Sequence, residues 1–116
     1  MRPRDPAANL QDMLAHAREA MEMADERTRA DLDSDRQFNL SLVRLLEILG
    51  EAAGRVSPDQ RAKHAHIPWP AIVGMRNRLI HGYDNIDFDI VWEVVTRDLP
   101  PLVIMLERLI RPAGGE

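Results

Sequence analysis

Asp35-Arg-Gln-Phe-Asn-Leu-Ser-Leu-Val-Arg-Leu-Leu-Glu-Ile-Leu-Gly-Glu-Ala-Ala-Gly-Arg-Val56 is the stretch on which the fold turns. Phe38, Leu40, Leu42, Val43, Leu45, Leu46, Ile48 and Leu49 sit at spacings that cover most of a helical circumference. A helix apolar nearly all round is buried on several sides. A chain of 116 residues supplies few other helices to enclose it, so a second copy covering the remainder, and hence a homodimer, is expected. Arg44, Glu47, Glu51 and Arg55 form the narrow polar strip, spaced for charge pairing one turn apart. A part for that strip in lining a cleft is the lesser reading.

Outward from this helix, both flanks read as helices too. Towards the N-terminus, Leu10, Met13, Leu14, Ala17, Met21 and Ala24 recur at steps of three and four, a core-facing stripe opened by Asp5-Pro6. Asp31 to Asp35 reads as a short acidic turn, with Ser34 as the cap of the next helix. Towards the C-terminus, Ser57-Pro58-Asp59-Gln60 joins a capping hydroxyl, a proline at the first helical position and an acid near the positive dipole end. That helix must be short, because Pro68 and Pro70 follow. Pro70 opens another over about Trp69 to His81, with Gly82 placed for a left-handed cap and Tyr83-Asp84-Asn85 as the loop beyond. A last helix spans about Asp87 to Leu109 on Val91, Val95, Leu99, Leu102, Val103, Leu106 and Ile110, and Pro100-Pro101 should kink or break it. The expectation is an all-α antiparallel bundle of four or five helices with a kinked last helix, forming one domain over residues 1–116.

Composition closes off several classes of function. Aromatic residues make up 4% of the chain, and alternating β-branched runs are missing, which argues against sheet. Without cysteine, disulfides, zinc–thiolate sites and cysteine nucleophiles are excluded. No apolar run approaches the ~20 residues that span a bilayer. Met1 to Pro6 lacks the apolar segment of a secretory signal, so the cytoplasm is the expected compartment and no membrane partner is expected. No glycine-rich phosphate loop or serine elbow motif is present. His64-Ala-His66 is mis-spaced for two ligands on one helical face, so neither a metal site nor a cofactor is expected.

Charge is distributed unevenly. The chain carries a net −4, yet the segment from Gln60 to Tyr83 holds Arg61, Lys63, Arg76 and Arg78 and no acid, which leaves −8 for the rest. His64, His66 and His81 lie there as well. One reading is chance clustering; the sharper one is a basic patch on an acidic body, suited to a phosphate-bearing ligand. Arg61, Lys63 and Arg78 are candidate RNA contacts. The acidic body and the want of a basic recognition helix argue against DNA.

Within this segment Trp69, Ile72, Val73, Arg76 and Ile80 fall on one helical stripe. An always-charged guanidinium on an apolar stripe needs an anion. Two readings of Arg76 stand side by side: it meets a ligand, or it snorkels out or pairs with Glu47 or Glu51. His81 by itself would be read as structural. With Arg76 and Asn77 nearby it could take the proton of a ribose 2′-hydroxyl or protonate the leaving oxygen, while Arg76 stabilises charge at phosphorus. Asn77, one turn before His81, could orient the imidazole or the ligand. Two sites meeting in a dimer would supply both a base and an acid.

Ile67-Pro-Trp-Pro-Ala-Ile-Val-Gly-Met-Arg-Asn-Arg-Leu-Ile-His-Gly-Tyr83 resembles the signature of the HepT-like proteins, the HEPN toxins paired with MNT nucleotidyltransferase antitoxins. Its defining element, Arg, four residues, His, any residue, Tyr, is present as Arg76, His81 and Tyr83. Gly50-Glu51-Ala52-Ala53 and Val91-Trp92 through Asp98-Leu99-Pro100 extend the resemblance over most of the chain. The resemblance implies a HEPN-like bundle that dimerises, with the motif in a cleft at or near the interface. It implies a metal-independent ribonuclease working through Arg76 and His81, with Asn77 at the polar position after the arginine. It further implies Tyr83 as the residue to which the antitoxin transfers AMP, while a hetero-oligomer with that antitoxin stays an open alternative to the homodimer alone. From the residues alone Tyr83 would be a loop tyrosine making a hydrogen bond. The competing reading is a non-catalytic HEPN-like dimer that binds a nucleotidyltransferase or a nucleotide.

Overall fold

A computed structural model describes residues 6–81 and 85–110 of the chain. The described residues form α1 (Pro6–Ala24), α2 (Asp31–Ser34), α3 (Arg36–Gly54), α4 (Pro58–Lys63), α5 (Trp69–Val73), α6 (Met75–Leu79), α7 (Phe88–Glu93), a π turn over Val94–Asp98, and α8 (Leu99–Ile110). The chain is all-α: the only extended pairing among these residues is a single antiparallel bridge between Ile80 and Ile86. The long elements are α1, α3 and the continuous α7–π–α8 rod. α1 packs on α3 and α8, and the short α5 and α6 lie on α3. The core joins Met13 and Ala17 of α1, Leu42, Leu46 and Leu49 of α3, and Val91, Leu99 and Leu106 of the last rod, all nearly or fully removed from water.

The stripe expected on the first helix is buried at Leu10, Met13, Leu14, Ala17 and Ala24, with Met21 packed against it. The start of α3 differs from the expectation. Asp35, not Ser34, is its cap: the Asp35 carboxylate accepts the Phe38 amide at 3.0 Å. The expected acidic turn is the one-turn helix α2, whose Leu32 is fully buried. Arg27 explains the choice, since its guanidinium reaches Asp35 at 2.7 Å and Asp31 at 3.3 Å and fixes both carboxylates at the helix entrance. Around α3, Leu42, Leu45, Leu46 and Leu49 are buried and Val43 and Ile48 half-buried; Leu40 remains 53% exposed. One chain therefore covers nearly all the apolar residues of this helix, Leu40 excepted.

Ser57 accepts the Gln60 amide at 3.2 Å, as its position before Pro58 leads one to expect. α5 starts at Trp69, whose indole N–H donates to the His64 carbonyl at 3.1 Å and ties the short helices together. The helix expected to run to His81 does not. Gly74 (φ −83°, ψ 2°) separates α5 from α6, and α6 ends at Leu79, with Ile80 extended (φ −88°, ψ 120°). The returning chain takes over there: the Asp87 amide donates to the Leu79 carbonyl at 2.6 Å, and the His81 amide to the Asn85 carbonyl. The cap expected at Gly82 lies outside the described residues.

Asp87 caps the last rod through the amides of Asp89 (3.0 Å) and Ile90 (3.3 Å). Pro100 and Pro101 interrupt it in a particular way. Neither has an N–H, and a proline ring crowds the carbonyl four residues back. The backbone widens ahead of them into the π turn, where the Leu99 amide reaches the Val94 carbonyl. The prolines then fall in the first turn of α8, where amides need no helical partner.

Candidate functional site

The motif segment sits on α5 and α6, and α3 lets it come close. A Cβ built on Gly50 would lie 3.2 Å from the Ile72 carbonyl oxygen, so only glycine admits this approach without displacement. Ile72, Met75 and Leu79 are buried against the core, while Val73 is 39% exposed. The helical phase is thus not the one expected. The apolar stripe runs through Ile72, Met75 and Leu79, at steps of three and four, and Arg76 is exposed rather than core-facing.

At about 100° per residue, Arg76 and Arg78 flank the buried Met75–Leu79 face on opposite sides, and Asn77 between them points away from the core. All three are exposed, as is His81. Among the described residues, the side chains of Arg76, Asn77 and His81 have no hydrogen-bond or ion-pair partner. The pairing of Arg76 with Glu47 or Glu51 does not form. Both acids go instead to Arg44, at 3.4 and 3.6 Å. Arg76, Asn77 and His81 are therefore presented to solvent on one short segment, with no partner for their side chains among the described residues. Tyr83 lies outside the described residues.

The other basic residues divide. Arg61 is engaged by the fold: its Nε donates to the Val56 carbonyl at 3.0 Å and its Nη2 to those of Ala53 and Gly54 at 3.2 and 3.3 Å. These carbonyls lie at and just beyond the end of α3, and that of Ala53 also accepts the Val56 amide at 3.1 Å. Arg61 thus closes a helix rather than standing open to RNA. Lys63 is exposed at the end of α4. Arg78 turns towards the last rod and faces Asp98 at 3.8 Å.

Beside Arg78 lies a cavity of about 440 Å³ between α5–α6 and the π turn and α8. Its walls are apolar, from Ile72, Met75, Leu102 and Met105, and its polar groups are Arg78, Arg97 and Asp98. The sequence reading had no part for Arg97 or Asp98. Both lie on the π turn, Val94–Asp98. Among the described residues no cluster of three or more His, Asp or Glu side chains comes together, and no described helix is long and apolar enough to cross a membrane.

Comparison with known proteins adds a family to this geometry. Residues 13–109 match the model of a family described as "Ribonuclease HepT-like". Over 102 residues the chain is 35% identical to the "Probable ribonuclease HepT" of Thermococcus cleftensis, covering 84% of this chain and 93% of that protein. It is 34% identical over 102 residues to a protein of Methanocaldococcus jannaschii named as a candidate RNase, covering 88% and 94%. A second such protein of the same organism aligns with all of this chain and 96% of its own length at 30% identity. No solved structure matches significantly.

Proposed function

The chain belongs to the HepT-like ribonuclease family, and from that premise we propose that it is a metal-independent endoribonuclease and the toxin of a HEPN/MNT toxin–antitoxin pair. The observation that carries this reading is the exposure of Arg76, Asn77 and His81 on one segment, with no partner among the described residues. An imidazole titrates near neutral pH and can serve as base or acid.

In the proposed reaction His81 takes the proton of a ribose 2′-hydroxyl. The 2′-oxygen forms a bond to the neighbouring phosphorus, the bond to the 5′-oxygen breaks, and a proton goes to that leaving oxygen. The products are a 2′,3′-cyclic phosphate and a free 5′-hydroxyl. Arg76 offsets the charge that builds on the non-bridging oxygens, and Asn77 orients the phosphate or the ring. One His81 per chain supplies one proton-transfer group. A homodimer with facing motifs supplies the second, and the exposed Leu40 beside half-buried Val43 on α3 is the apolar surface that favours a second copy. Lys63 and Arg78 add phosphate contacts. The cognate nucleotidyltransferase silences the enzyme by transferring AMP to Tyr83, two residues from His81, where added bulk and negative charge exclude RNA.

The test is incubation of the chain, expressed without a partner, with total RNA in excess EDTA, beside His81→Ala. Cleavage by the unaltered chain alone is expected. Absence of cleavage from a folded dimer whose Tyr83 carries no AMP would overturn the enzymatic reading in favour of a binding module. A Tyr83→Phe chain that the nucleotidyltransferase still labels would remove the modification step.

A further inference from the structure

The groove beside Arg78 belongs to the motif helix but lies on the flank away from Arg76. The scissile phosphate, held at Arg76 and His81, does not use it. Its walls are made of Ile72 and Met75 on one side and Leu102 and Met105 on the other. Its volume of about 440 Å³ lies within the ~300–1,000 Å³ typical of small-ligand sites. The polar groups are the guanidiniums of Arg78 and Arg97, the latter 3.4 Å from Glu93, and the Asp98 carboxylate, so Arg78 is the cation placed for an anion that also carries an apolar, planar body. Arg78 and Asp98 are 41% and 52% exposed and 3.8 Å apart. An ion pair so long and so wet holds its partners weakly, and each is available to something else.

We infer that this groove is a nucleotide subsite: it takes the base of a residue flanking the cut, with Arg78 on that nucleotide's phosphate and Asp98 on the edge of the base. The inference rests on the reading of the chain as an RNA-cutting enzyme. Arg76, Asn77 and Arg78 form an unbroken exposed path from the cleavage site to the groove, about the width of one helix, ~10 Å. A strand laid along it keeps its phosphates on arginine and turns a neighbouring base inward. Single-stranded RNA is read in this way, by splaying a base into a pocket and bonding its edge. Among the four bases, guanine alone offers two adjacent N–H donors on its Watson–Crick edge, which match the two oxygens of Asp98. Guanine is therefore the preferred occupant. The π turn that carries Arg97 and Asp98 fits this use, since such turns recur at functional sites.

Two measurements test the subsite, one independent of cleavage. The first titrates the four ribonucleoside 5′-monophosphates into His81→Ala protein labelled at its methionine methyls. GMP should shift Met75 and Met105 and leave Met13, buried in the core, in place. The second maps cut ends in total RNA. The unaltered chain should show guanine enriched at one position beside the cut. Asp98→Asn should erase that enrichment, and Ala71→Trp, which plugs the groove, should raise KM about tenfold. A chain that binds GMP at Met75 and Met105 but cuts nothing would leave the groove standing and sink the nuclease reading. A chain that cuts without base preference and shows no methionine shifts would sink the groove and leave the nuclease. If Ala71→Trp instead abolishes dimerisation and no nucleotide shifts appear, the groove is a protein contact and the inference is overturned. Should Ala71→Trp fail to fold, Asp98→Asn, solvent-exposed and outside the core, still decides between these outcomes.

Discussion

Replacing Arg61 with alanine should cost stability and leave RNA recognition nearly intact, the reverse of what its place in a basic segment suggests. The guanidinium makes three hydrogen bonds, at 3.0, 3.2 and 3.3 Å, to carbonyls at the end of α3, and its carbon lies 5.9 Å from the Trp69 ring centroid. Hydrogen bonds from charged donors contribute ~1.5–3 kcal/mol when buried. Arg61 is only half-buried, and water can replace part of each bond. Adding the favourable cation at a helix C-terminus, we expect a total loss of about 1–2 kcal/mol. For a chain of this length that lowers Tm by ~4–8 °C. Arg61→Lys keeps the charge near the helix end but cannot fork across three carbonyls, and should recover less than half of the loss. Thermal unfolding by circular dichroism, run beside KM for an RNA substrate, reads both quantities. A Tm within ~1 °C of the unaltered chain, with KM raised several-fold, would refute the assignment of Arg61 to the fold.

Three further outcomes follow from the packing and the caps. Gly50→Val should destabilise by ~1–3 kcal/mol, because its Cβ would sit 3.2 Å from the Ile72 carbonyl. Gly50→Ala should cost less, since alanine regains ~1 kcal/mol of helix propensity; urea denaturation of both variants checks the order. Asp35→Ala should lose ~1 kcal/mol through the α3 cap, visible as a lower denaturation midpoint at unchanged slope. Acid should act through the same corner. Arg27, then the Phe38 amide, hold the Asp35 carboxylate below its usual range, and the Thr28 amide, then Arg27, do so for Asp31. Carboxylates depressed in the folded state stabilise above their unfolded pKa, and that contribution is lost as pH falls through the folded value. Tm should therefore hold between neutral pH and ~5 and fall below ~4, with a shallower fall in Asp35→Asn; a drop already complete at pH 5 would contradict this.

How far the sequence could be read depended on the range of the determining forces. The long helices were legible because their periodicity is a local property that burial then enforces. The Ser57 cap and the start at Trp69 were equally local. Ser34 failed as a cap because the choice between it and Asp35 is made by Arg27, which sits a full turn beyond α1 and reaches back in space. Arg61 read as a ligand-binding cation because the carbonyls it closes become neighbours only once α3 ends and α4 folds back on it.

The phase of the motif shows where local reading gives out. A helix drawn from Trp69 to His81 puts Arg76 on the apolar stripe and asks what anion it meets there. The buried stripe is instead Ile72, Met75 and Leu79, also at steps of three and four, which leaves Arg76 beside the core and facing water. The functional assignment stays a proposal, and the physical basis for it changes. A core-facing arginine would be held by its burial and could serve as a pre-set anion site. An exposed one is free to move, and gains a fixed position only when a phosphate or a second chain confines it. That puts weight on the proposed dimer as the state in which the site would be ordered. The motif residues are specified by sequence, whereas their convergence is not a property of one chain's α6, which is five residues long and ends before His81.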